Sequence, residues 1–138
     1  METEGVFAPE TRDAVQERYA ALEPVASEVV RAVTREMHFD STEYDQRVTD
    51  GVHEAAQDAL FASLLAVQVG TREEYEHWRE SHDGDLVEAG SEHVDNVVWH
   101  APPWADTAVA ATFQDERPAA VATLRRQAFG RLYREVVR

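Results

Sequence analysis

The chain has 138 residues, 27 of them acidic and 13 basic, for a net charge of −14, and a chain of this length builds one core without disulfide or metal staples. It contains no cysteine, which excludes a disulfide framework, a thiolate nucleophile and thiolate-bound metal. The longest apolar run, Ala59 to Val69, has 11 residues and includes Ser63 and Gln68, too short to cross a bilayer.

Pro9 opens a helix over Glu10 to Leu22, with Glu10 and Asp13 at its positive dipole end. Pro24 interrupts it. Val25, Val29, Val33 and Met37 then repeat every four residues, which predicts a second helix or a kinked continuation of the first to about Met37. Asp40-x-x-Glu43 has the form of a capping box and starts a short helix through Val48, broken at Thr49-Asp50-Gly51. Val52 to Val69 is increasingly apolar on all sides, the pattern of a buried helix, with Gly70 as its C′ residue. A second capping box, Thr71-x-x-Glu74, opens a helix through Glu80 anchored by Tyr75 and Trp78.

Beyond Ser81 the pattern changes. Asp83-Gly84 is a turn signal, and Leu86 to Ala89, Val94 to His100 and Thr107 to Phe113 predict three strands of an antiparallel meander. Ala108, Ala110 and Ala111 would also suit a helix. Asp115 is placed to cap a last helix from Glu116 to the C-terminus, with Pro118 in its first turn. With no repeat or linker, residues 1–138 form a single α+β domain: a helical N-terminal half, a small antiparallel three-stranded sheet and a closing C-terminal helix.

At 100° per residue, Val121, Leu124, Ala128, Phe129, Leu132, Tyr133 and Val136 make one apolar arc on the closing helix. Arg125 falls inside that arc, where a guanidinium either binds an anion in a cleft or forms a buried ion pair with a carboxylate. Arg126, Arg131, Arg134 and Arg138 lie opposite. Residues 117–138 carry six arginines and one acid, while residues 1–116 carry seven arginines and 26 acids. Basic helices of nucleic-acid binders look like this, through Arg126, Arg131, Arg134 and Arg138 here. Magnitude opposes that reading in brine. Five phosphate contacts give a log–log salt slope of about −4.5, so moving from about 0.1 M to about 2 M salt costs roughly 10⁵-fold or more in affinity. The arginine face therefore suits an acidic protein surface, its own body's or a partner's.

His77, His82, His93 and His100 fall within 24 residues, with Glu92 and Asp95 among them. Neutral imidazole ligates metals and serves as a base, so His93, Asp95 and His100 are the candidates for a small metal-dependent or acid–base enzyme. Their spacing is poor, because on a strand His93 and Asp95 point to one side and His100 to the other. No metal or other cofactor is assigned. Trp99, alternating with Val97, is a core residue; Trp104, beyond Pro102-Pro103, either fills the core or stands at the surface as a contact anchor. No phosphate-loop, dinucleotide or nucleophile-elbow motif occurs, and without lysine there is no Schiff-base chemistry.

Arginine is the only cation, since lysine is absent, as is isoleucine. A large carboxylate excess repels itself in dilute buffer, whereas at molar salt the Debye length is about 3 Å and the repulsion is screened. The composition thus points to a halophilic cytoplasm, and the acidic Met1-Glu2-Thr3-Glu4 lacks the features of a secretory signal. Three stretches, Asp58 to Arg72, Gly90 to His100 and Thr112 to Arg134, resemble those of a small uncharacterised haloarchaeal protein family. That resemblance implies a cytoplasmic archaeal protein in molar potassium, and the family carries no assigned activity. The resulting expectation is a non-catalytic protein–protein interaction or adaptor protein that binds a protein partner or forms a homo-oligomer. Its expected contact residues are Trp104, Arg126, Arg131 and Arg134.

Overall fold

The computed structural model describes residues 1–138. A short strand, β1 (Glu2–Glu4), precedes α1 (Arg12–Ala21), whose N-cap Thr11 accepts the Ala14 amide at 3.0 Å. Only Leu22 separates α1 from α2 (Glu23–Glu36), because Pro24 sits in the first turn of α2, where its missing N–H has no helical partner to lose. His38 takes φ 57° and turns the chain into α3 (Ser41–Arg47), capped by Asp40 as its box predicts. Thr49 does not simply break the pattern; its hydroxyl caps α4 (Asp50–Leu64).

The buried helix predicted to Val69 stops at Leu64. Leu65 is extended (φ −60°, ψ 127°), and Val67–Thr71 forms β2, with Gly70 inside a strand rather than at a helix end. The reason is period-two burial: Val67 and Val69 point into one core while Gln68 and Gly70 face the other side. α5 (Arg72–Glu80) follows with a complete capping box between Thr71 and Glu74. Then come β3 (Asp85–Ala89), β4 (Asn96–His100) and β5 (Thr107–Phe113); the alanine-rich third stretch is a strand.

The sheet has five strands, in the order β1-β2-β4-β5-β3. It is mixed, not the predicted three-stranded antiparallel meander, since β3 pairs in parallel with β5 while the other ladders are antiparallel. Two things displace β3 from beside β4. β4 is buried on both faces and takes the centre between β2 and β5. β3 is in turn tied to β5: the Asp85 amide donates to Asp106 O at 2.7 Å, and a Cβ at Gly84 would lie 1.8 Å from that same carbonyl, so only glycine fits there.

Helices cover both faces. α6 (Arg117–Ala128) sets Val121 and Leu124 against Val67, Val69, Val98 and Val109, while α5 sets Tyr75 and Trp78 against Val97, Trp99 and Ala110. Asp115 does not cap α6; the N-cap is Glu116, without a side-chain hydrogen bond. The Arg117 guanidinium instead ties α6 to β1 through Glu4 (2.7 Å) and Glu2 (2.6 Å). Phe129–Tyr133 is a π-helical segment leading into α7 (Arg134–Val137). Through it the closing helix leaves the sheet and enters a third core with α1 and α4, where Phe61 has the rings of Phe7, Tyr19, Phe129 and Tyr133 at centroid distances of 5.2–5.8 Å.

Candidate functional site

His100, at the end of β4, is 2 % exposed. Its Nδ1 lies 2.7 Å from Ala66 O and its Nε2 2.6 Å from the Tyr133 hydroxyl. A carbonyl only accepts, so Nδ1 carries the proton and donates, and Tyr133 donates to Nε2. Burial lowers the His100 pKa to about 4, the Ala66 hydrogen bond opposes the fall and nearby Arg125 adds to it. Burial also raises the Tyr133 hydroxyl pKa. The result is a neutral structural pair locking β4 to the closing helix. His93 and Asp95 are exposed in the turn before β4 and do not meet His100, and no three His, Asp or Glu side chains are grouped to hold a metal ion.

Trp104 packs inward. It is partly buried, its ring is edge-on to Tyr133 at 5.3 Å, and Arg12 lies over it at 5.6 Å. Its buried indole N–H has no hydrogen-bond partner; near the Tyr133 oxygen it acts as a weak electrostatic contact opposing the rise in that hydroxyl's pKa.

The six arginines of residues 117–138 divide. Arg117 pairs with Glu2 and Glu4, and Arg138 with Asp58 (2.7 Å) and Glu54 (3.0 Å). Arg138 also donates to the Tyr19 hydroxyl, which in turn donates to Asp58 at 2.7 Å. Tyr19 is raised to about 12, first by burial and then by Asp58, with Arg138 opposing. Arg125, Arg126, Arg131 and Arg134 have no carboxylate within 4.0 Å. Arg125 is half-buried but forms no ion pair. Its Nε donates to Leu65 O at 2.9 Å, which leaves its two terminal nitrogens uncommitted. Arg126 reaches Thr123 Oγ1 (3.2 Å), and Arg134 folds back with its guanidinium 5.6 Å from the Phe129 ring centroid.

Arg125, Arg126 and Arg134 border one cleft of about 380 Å³ between α4 and the closing helix, with Ala55, Ala59 and Ala62 on the α4 wall and Phe129 opposite. The one acid lining it is Asp58, already held by Tyr19 and Arg138. Arg131, exposed on the π segment, is not part of this lining. No sequence signal brought α4 alanines and closing-helix arginines together; that juxtaposition is tertiary.

A further surface lies on α2. Ala26, Val30 and Thr34 are the residues it buries. Val25, Val29, Val33 and Met37, the row that predicted the helix, are 43, 40, 51 and 56 % exposed.

By class this is a small mixed α+β protein whose five-stranded sheet is covered by helices on both faces. It belongs to a family of unknown function (DUF5809), whose family model matches residues 6–134. No curated protein and no solved structure matches the chain. No helix is long and apolar enough to cross a membrane.

Proposed function

We propose that this chain is a non-catalytic protein–protein interaction protein of a halophilic cytoplasm, and that its main contact surface is the exposed apolar row of α2, beside its buried face and the α2–α3 cleft. The observation that carries the reading is the bare row Val25, Val29, Val33 and Met37. Its members are about 40° apart round the helix, so they form one continuous stripe. A stripe of this kind on a chain of net charge −14 is a recognition feature, because screened charge gives little attraction in brine and apolar contact does not weaken there. Trp104, packed against Tyr133, and Arg126 and Arg134, bordering a cleft, are less suited to a flat protein contact.

The occupant that fits is a second copy. About a two-fold axis crossing near Arg31, antiparallel helices bring Val29 against Val33 of the second copy and Val25 against its Met37. The contact is reciprocal, as an isologous interface requires. Burying the exposed half of eight such side chains yields roughly 8 kcal/mol. That is comparable to the roughly 4–15 kcal/mol association costs, so the dimer is weak and concentration-dependent. Sedimentation equilibrium in about 2 M KCl tests this. The expected result is a monomer–dimer equilibrium that Val29→Asp abolishes without changing the circular dichroism. A strict monomer at the highest attainable concentration, or dimerisation indifferent to Val29→Asp, refutes it.

A further inference from the structure

The cleft between α4 and the closing helix combines an apolar lining with a cationic border. Its lining is mostly apolar and small: Ala59 and Ala62 withdraw the α4 wall, and the Phe129 ring closes the far side. Its border carries three guanidinium groups, while its single acid, Asp58, is already neutralised by Arg138. In a chain with 27 acids and 13 arginines this is a local reversal of charge. The cations are also placed rather than loose. Arg125 is anchored through Nε on Leu65 O and presents its remaining nitrogens, and Arg134 is laid over Phe129 across Gly130, where no side chain intervenes. The π segment supplies this placement, as such segments do at other functional sites.

We infer that this cleft binds a small amphiphilic carboxylate, its head group held by Arg125 and Arg134 and its apolar body lying between Phe129 and the α4 alanines. A planar guanidinium meets a carboxylate through paired hydrogen bonds. Because Arg125 is half-buried, salt screens its contact less than one on the open surface. About 380 Å³ is at the small end of the range for small-molecule sites, which suits a single aliphatic or aromatic acid. The inference is independent of the α2 interface, since no residue is shared.

The test is isothermal titration calorimetry with decanoate and, as the uncharged counterpart, decanamide, in molar KCl. Decanoate binds saturably and decanamide at least tenfold more weakly. Arg134→Met, at an exposed position, weakens decanoate at least tenfold, as does Arg125→Met where circular dichroism shows that variant folded. Ala59→Trp, also at an exposed position, fills the cleft and abolishes binding, while Val29→Asp leaves it unchanged. The inference fails if decanoate does not bind, if decanamide binds equally well, if binding survives Ala59→Trp, or if Val29→Asp removes it.

Discussion

His100 makes the stability of this protein depend on pH between about 6.5 and about 4. Its pKa falls from 6.5 to about 4 on folding. Above pH 6.5 the imidazole is neutral in both states and contributes no pH dependence. Between 6.5 and about 4 the unfolded chain takes up a proton that the folded chain refuses, so stability falls as pH falls. A shift of about 2.5 pKa units corresponds to about 3 kcal/mol, fully lost below about pH 4. The perturbation is His100→Gln, which keeps a polar side chain but does not titrate. At pH 7.5 the variant is less stable by about 1–3 kcal/mol, because it cannot reproduce both hydrogen bonds, to Ala66 O and from Tyr133. Urea unfolding followed by tryptophan fluorescence, at constant molar KCl from pH 7.5 to 4.5, gives the two stability curves. Carboxylate protonation is common to both and cancels in their difference. The gap should move steadily in the variant's favour below pH 6.5, approaching a total change of about 3 kcal/mol at the acid end. Parallel curves across the window would refute a buried neutral His100.

Two further substitutions test the packing. Phe61→Ala, which removes the ring at the centre of the third core, should cost about 3–5 kcal/mol in urea unfolding, and a loss under about 1 kcal/mol would contradict that centrality. Arg138→Met should cost about 1–2 kcal/mol, since it leaves partly buried Asp58 with only Tyr19 as a donor. Unchanged stability would mean that the C-terminal clasp is too hydrated to matter.

Helices α2, α3 and α5 were legible because their signals are local. Pro24, Asp40 and Thr71 mark ends through groups within one turn of themselves. The sheet was less legible. β1 has three polar residues and exists because the β2 edge and Arg117 receive it, neither of which lies nearby in the sequence. The β2 segment reads as helix in the sequence because Leu64 to Val69 is apolar under either period, and only pairing with β4 decides between them. The α2 row shows a different limit. Four-residue spacing identifies a helix but not which face is covered. α4 lies instead on Ala26, Val30 and Thr34, small or branched residues that allow close approach.

Arg125 shows why a site of this kind escapes periodicity. Extending 100° per residue along the closing helix puts Arg125 in the middle of one apolar arc. The actual helix serves two cores in succession: Val121 and Leu124 face the sheet, whereas Ala128, Phe129, Tyr133 and Val136 face α1 and α4. The π segment at Phe129–Tyr133 makes that change of partner possible by resetting the phase, and a uniform period cannot anticipate it. Arg125 lies one turn before the change. There the helix still rests on the sheet, and α4, ending at Leu64, presents only short side chains towards it, Ala55, Asp58, Ala59, Ala62 and Ser63. Neither core fills the space between them. A guanidinium that would have needed a carboxylate inside a continuous core is satisfied here by one backbone carbonyl, and its remaining donors face an opening. The cleft is thus the geometric consequence of one helix being shared by two cores, and its positive border follows from which residues stand at the junction.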